Sequence, residues 1–304
     1  MEQIAALIAA TLAAGTPLLL AGIGLLVNER SGVLNLGAEG MMLIAAAAGF
    51  AVGFHSGSPV AGLLAGALAG MLFSLLFSAL AIGLATNQYA TGLALTLFGA
   101  GLSAFAGLAY VGKAVPFKTT FEIPGLSSIP FFGTAFFKLH WMVYFALVLT
   151  AIVAFVLQRT RVGLVIRAVG ESPESAHAIG YPVRAIRVGA VAFGGACCGL
   201  AGAYLSLIYT PLWVEGMVAG RGWIALALTT FATWRAWRVA LGAYLFGSVT
   251  MIQFALQAEG VEIASQLLSM LPYIATIVVL ALISRNPAFI RLNMPASLGK
   301  PFHP

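Results

Sequence analysis

The chain has 304 residues, of which 61% are hydrophobic and only 8% charged, and its mean hydropathy is +1.01. Soluble domains carry about 25% charged residues, so this composition excludes a fold that covers itself with a water-facing surface. The net charge of +6 and pI near 9.6 do not indicate a nucleic-acid binder, because Lys and Arg are too few and too scattered to form a basic face.

Apolar segments follow one another at 4–27, 33–53, 59–82, 89–110, 139–158, 188–209, 222–234, 238–257 and 266–284. At about 20 residues per crossing they predict an all-α, polytopic integral membrane protein of about 8 to 10 transmembrane helices, one broken or re-entrant, in a single domain over residues 1–304. The first segment begins Met1-Glu2-Gln3, lacks a positive flank and is long enough to span, so it is expected to be retained rather than cleaved. Residues 28–40, which include Asn28, Glu29, Arg30, Asn35, Gly37, Glu39 and Gly40, are too polar and glycine-rich for a lipid-facing helix, and mark the place of a break. The N-terminus lies outside if every first-half segment crosses, and inside if one is re-entrant.

Arg159, Arg161, Arg167, Arg184 and Arg187 fall within one stretch, 159–187, which the positive-inside rule assigns to the cytoplasm. Arg235 and Arg238 mark a second cytoplasmic corner. Arg285, Arg291 and Lys300 put the C-terminus on the same side, and residues 111–138 fall outside. Within the cytoplasmic stretch, residues 171–180 read as a very short capped helix. Ser172 is its N-cap and Pro173 suits its first turn; Glu174 complements the dipole and Gly180 supplies a left-handed stop. A helix of about two turns cannot stabilise itself, so it must pack on its own membrane domain or on a partner.

Gly62, Gly66 and Gly70, and again Gly195 and Gly199, lie four apart and permit close helix packing. Gly220-Arg221-Gly222-Trp223-Ile224-Ala225 echoes Ala38-Glu39-Gly40-Met41-Met42-Leu43, the pattern of an internal repeat, with chance similarity as the rival.

No phosphate-binding loop, zinc-protease motif or nucleophile elbow occurs, and the chain contains no Asp. Four scattered histidines offer neither a metal site nor a triad, and the adjacent Cys197 and Cys198 read as packing residues. The polar groups at membrane depth are then the candidates for function: Asn35, Glu39, Asn87, Gln88, Thr91, Thr96, Tyr209, Arg221 and Gln253. Glu39 and Arg221 are expected to form an ion pair between the two halves, with substrate contact or interfacial snorkelling as alternatives. Asn87, Gln88 and Thr91 form either a polar turn or part of a pathway lining. An ion-coupled secondary transporter would need an intramembrane acid, for which Glu39 is the one good candidate.

Three motifs in order carry a resemblance. Glu29-Arg30-Ser31-Gly32-Val33-Leu34-Asn35-Leu36-Gly37-Ala38-Glu39-Gly40-Met41-Met42, Asn87-Gln88 with Thr91-Gly92-Leu93-Ala94-Leu95, and Ala219-Gly220-Arg221-Gly222-Trp223-Ile224-Ala225-Leu226-Ala227 resemble segments of the permease subunits of ABC importers. The family is the ribose, branched-chain amino acid and nucleoside type; the resemblance to it runs nearly end to end, and the three motifs resemble its nucleoside and simple-sugar branch. The resemblance implies alternating access for nucleosides or purines, or for simple sugars. It implies a bacterial cytoplasmic (inner) membrane location and a substrate pathway through Asn35, Glu39, Asn87, Gln88, Thr91 and Arg221. It also implies a coupling helix, with Glu171, Ser172, Pro173, Glu174, Ala176, His177 and Gly180, that docks on a separate ATP-binding subunit. That subunit would bind ATP and Mg, leaving no cofactor, metal or catalytic residue in this chain. A second permease subunit, an extracytoplasmic substrate-binding protein and membrane lipid complete the implied partners, without nucleic acid. One departure stands out: Phe231-Ala232-Thr233-Trp234 replaces a Phe-Gly-Lys-Trp turn.

Overall fold

The structure is a computed structural model, and it describes residues 2–117, 120, 125–127, 129–258, 267, 270–284 and 293–303. Arg285, Arg291 and part of the 111–138 stretch lie outside the described residues. The helices, in chain order, are α1 (Glu2–Arg30), α2 (Ala38–Ser56), α3 (Pro59–Ser78), α4 (Gln88–Gly107), α5 (Trp141–Arg159), α6 (Arg161–Glu171), α7 (Pro173–Ala178), α8 (Val183–Tyr204), α9 (Arg221–Phe231), α10 (Ala236–Ala258) and α11 (Leu271–Ser284). Among the described residues seven are long and apolar enough to cross a membrane: α1 to α5, α8 and α10.

Local chemistry sets the boundaries. Ser58 caps α3 through the Ala61 amide, with Pro59 in the first turn. Thr160 caps α6 through Gly163, and separates it from α5. Inside α1, Pro17 leaves the Ala13 carbonyl without its usual helical donor, and the hydroxyl of the buried Tyr204 on α8 donates to it at 3.2 Å. A proline kink site is thereby joined to the neighbouring helix.

The centre of the bundle is α8, packed against α1, α2 and α3. The two glycine rows meet there: a Cβ on Gly70 would lie 2.3 Å from the Gly195 carbonyl oxygen, and one on Gly199 equally close to that of Gly66. The opposite face of α3 presents Val60, Leu64, Leu68, Leu72 and Leu76, all exposed and four residues apart. One face of α3 is thus shaped for backbone approach and the other for lipid or a second chain.

The helices define two ends. Arg30, Gly170, Arg187, Trp234 and Ser297 gather at one, through bonds from Arg30 to the Trp234 carbonyl and from Arg187 to Ser31 and Ser297. This basic end carries α6 and α7. His55 and Tyr110 meet at the other, 3.1 Å apart. Since α1 begins far from the basic end and finishes in it, Glu2 lies at the opposite end.

Candidate functional site

The break expected at 28–40 is present as a short extended passage between α1 and α2. The Leu34 amide donates to Gln88 Oε1 at 2.8 Å and the Leu36 carbonyl accepts from Thr96 Oγ1 at 2.9 Å. Between those two anchors α4 rises about 12 Å, so α2 starts well inside the span rather than at its edge. Helix α9 also starts inside. Its 11 residues reach only about 16 Å, roughly half of a hydrocarbon core of about 30 Å.

The two buried helix starts meet. Glu39, 7% exposed, accepts the Gly220 amide through Oε1 at 2.8 Å and the Gly222 amide through Oε2 at 2.7 Å. These amides are free because they open α9, and a carboxylate there also complements the helix dipole. Gly220 holds φ +80°, and a Cβ on Gly222 would lie 2.6 Å from the Glu39 backbone. Only glycines allow this approach.

The expected Glu39–Arg221 ion pair is therefore replaced by a backbone cradle. The Arg221 guanidinium turns back to the Met217 and Val218 carbonyls at 3.2 and 3.1 Å, and lies 6.0 Å from the Tyr209 ring centre. Sequence reasoning missed this because the partners are main-chain groups, invisible in side-chain charge patterns. It also missed Glu29 as a separate anchor. Glu29 is buried at the other end of α9, where Thr229 Oγ1 and Trp234 Nε1 each donate to it at 2.6 Å. Two glutamates ten residues apart thus hold both ends of one half-length helix.

The remaining pathway candidates divide by exposure. Asn35 is buried and folds onto its own turn, its Oδ1 accepting from Gly37 at 2.9 Å. Gln88 is buried and its Oε1 serves Leu34, which makes it an anchor for the extended passage. Asn87 is exposed and caps α4 through the amides of Tyr89 and Ala90. Thr91 shares a 2.8 Å hydrogen bond with Thr86 at the edge of the same turn. Of these four, Thr91 lines a cavity of about 380 Å³, together with Thr86 and Phe98.

A cavity of about 500 Å³ does open at the end opposite α7, lined by Ala13 of α1, Lys138, His140, Tyr204, Tyr209 and Met251. Its described walls are aromatic and apolar apart from Thr120, Lys138 and His140, and contain no carboxylate. Arg221 touches this cavity only through Tyr209. Burial pushes the His140 imidazole down to about 4, so it is neutral near pH 7, and its Nδ1 accepts the Met142 amide at 3.2 Å.

At the basic end, α7 forms as its sequence dictates, with Ser172 Oγ accepting from Ser175, Pro173 in the first turn and Gly180 at φ +92°. Pro173 and Ala176 face inward; Ala176 packs with Val169, Val183 and Phe302 in a small core of its own. Glu174, Ser175, His177 and Gly180 face out, with Ile179 74% exposed beside them. The His177 ring meets Phe302 at 5.6 Å, and Glu171 accepts the Ala296 amide at 3.4 Å. Residues 295–302 therefore form the seat of α7. Arg187 fixes that seat through Ser31, Ser297 and the Lys300 carbonyl. No local motif announces Arg187, Ser297 or Phe302.

Residues 7–283 match the family described as "Branched-chain amino acid transport system / permease component". The chain belongs to this permease family. It is 41% identical, over 98% of itself and 97% of the relative, to a protein of Haloferax volcanii named "Putative glucose ABC transporter permease protein". It is 33% identical over 88% of both chains to a nucleoside ABC transporter permease of Lactococcus lactis. A guanosine ABC transporter permease of Bacillus subtilis is 32% identical over 99% of this chain and 98% of its own. No solved structure matches.

The permease keeps its odd corner without strain at the substituted position: Ala232, where a glycine was expected, lies at φ −70°. The left-handed residues are Thr233 and Trp234, held by Arg238 and by Glu29 and Arg30 respectively. Among the described residues of the permease no His, Cys or Glu group could hold a metal ion, and Cys197 and Cys198 are buried.

Proposed function

We propose that this permease is the membrane subunit of an ATP-driven importer of small neutral solutes rich in hydroxyls, moved by alternating access. The observation that carries the reading is α7: a six-residue helix seated on its own small core, with Ile179 and the faces of Glu174 and His177 turned outward at the basic end. Such a helix transmits force by contact. A separate ATP-binding subunit, holding ATP and Mg, would receive it; closure of that subunit would displace α7, and with it α6 and the seat at 295–302.

The basic end is then cytoplasmic by the positive-inside rule, with the C-terminus there and Glu2 outside. The cavity at His140, Tyr204 and Tyr209 would be the outer vestibule, where an extracytoplasmic binding protein delivers solute. The exposed leucine row of α3 and the faces of α4 and α5 offer surface to lipid and to a second permease subunit.

Aromatic rings beside the polar side chains of Thr120, Lys138 and His140 suit a sugar or nucleoside, which stacks on rings and offers hydroxyls to hydrogen-bonding groups. The sequence motifs put nucleosides first. The higher identity with the glucose-named relative favours simple sugars as the leading class.

The test is to purify the permease with the ATPase and binding protein that accompany it, and to titrate that binding protein with glucose, other simple sugars and nucleosides. Uptake into proteoliposomes should require internal ATP. Uptake that continues without the ATPase and follows an ion gradient would replace this reading with a secondary transporter.

A further inference from the structure

We propose that the cavity between the basic-end termini of α1 and α5, α6 and the 234–237 corner binds the phosphate headgroup of an anionic phospholipid. It has a volume of about 510 Å³ and is lined by Arg30, Arg167, Arg235, Gln158, Trp234 and Trp237 among others. Three guanidinium groups line it, and none of its described lining residues is acidic. Arg30 is held in place by the carbonyls of Trp234 and Asn293. Arg167 donates to the Gly163 carbonyl of its own helix at 3.4 Å, and Arg235 is exposed.

Glu171 and Glu29 act on Arg30 through space, but neither lines the cavity; Glu29 accepts from Thr229 and Trp234, and Glu171 from the Ala296 amide. The chain has no Asp, and residues 285–304 contain no Glu. Three like charges around one cavity call for an anion, and planar guanidinium forks suit phosphate oxygens.

The position selects a lipid over a soluble phosphate. Arg30 is the last residue of α1 and Gln158 lies in the last turn of α5, so the cavity sits where spanning helices leave the hydrocarbon. Trp237 is 50% exposed there, as expected of an interfacial anchor. Leu157 lines both this cavity and an apolar groove of about 750 Å³ along α5, α6 and α8, which offers acyl chains a surface beside the charged cavity. Basic pockets between spanning helices are built for such headgroups. A phosphate there would tie α6, which carries α7, to α1 and to the start of α10.

The test uses the full-length protein in nanodiscs of phosphatidylcholine with and without phosphatidylglycerol, reading bound lipid by native mass spectrometry and Tm by a thermal melt. Wild type should retain phosphatidylglycerol and melt higher with it, less so at high salt. The double variant Arg167→Gln with Arg235→Gln should bind it about tenfold or more weakly and lose the increment, while Arg167→Lys with Arg235→Lys keeps most of it. If the double Gln variant does not fold, Arg235→Gln alone, at an exposed position, is read the same way. The proposal is overturned by equal retention in wild type and the Gln variants, or by no preference in wild type. It is also overturned if inorganic phosphate alone reproduces the whole shift, or if the Gln variants keep the lipid but no longer hold the ATPase subunit, which would make the cavity a protein-docking site.

Discussion

The Glu39 carboxylate and the Gly222 amide, 2.7 Å apart, join residues separated by 183 positions and bring two interrupted helices together inside the span. The acceptor is a charge and the donor is main chain, so the contact depends on the carboxylate itself and on the absence of a side chain at 222.

Replacing Glu39 by Gln leaves one good acceptor for two amides and should cost about 1.5–3 kcal/mol. Exchanging the charges, Glu39→Arg with Arg221→Glu, should not restore stability, because Arg221 does not hold the carboxylate. Thermal melts of purified variants check both. A double exchange as stable as wild type would show that the charges pair after all.

The seam between α3 and α8 should be intolerant at Gly70 and tolerant two residues away on the outer face. Gly70→Val drives a side chain into the Gly195 carbonyl and should cost about 1–3 kcal/mol or more, whereas Leu72→Ala, 63% exposed in this chain, should stay within about 0.5 kcal/mol. Protease resistance in detergent distinguishes them. Equal sensitivity would mean the seam is looser than its geometry.

The two faces of α7 should separate docking from stability. Ile179→Asp alters a residue 74% exposed, and should change the permease's own stability by less than about 0.5 kcal/mol while releasing the ATPase subunit on co-purification. Ala176→Arg, at 2% exposure, should instead dislodge the helix from Val169, Val183 and Phe302 and open the 171–181 segment to protease. An Ile179→Asp variant that holds the ATPase as tightly as wild type argues against this face as the dock.

His140 should make the protein sensitive to acid. Burial lowers its pKa from the ordinary 6.5 to about 4, so as pH falls the unfolded chain takes up the proton first. The stability from the neutral ring is complete above about pH 6.5, declines between 6.5 and 4, and is gone below. Tm should fall between pH 7 and 5, and His140→Asn, which can still cap α5, should flatten that decline. The same slope in both proteins would assign the acid sensitivity to another group.

Much of the fold was legible because its causes are local. Helix α7 was readable from Ser172, Pro173 and Gly180, since capping and backbone conformation act within a few residues. The spans were readable from apolar length, and the two glycine rows from their spacing, although not that they face each other. The role of Glu39 was half legible: a buried charge needs a partner, but a partner that is a backbone amide carries no sequence signal. Arg187 was legible only as one more basic residue of the 159–187 stretch, and the packing role of Phe302 not at all, because both act on residues more than a hundred positions away.

By itself the sequence determined that the chain lives in a bilayer, roughly where its apolar spans fall, and how the short helix α7 is capped, because composition, capping and hydropathy act over one or two turns. The tertiary structure alone decided that Glu39 closes on α9, that residues 295–302 seat α7, and that three arginines surround one cavity. Those arrangements depend on which helix ends meet in space, and that is settled by packing of the whole bundle.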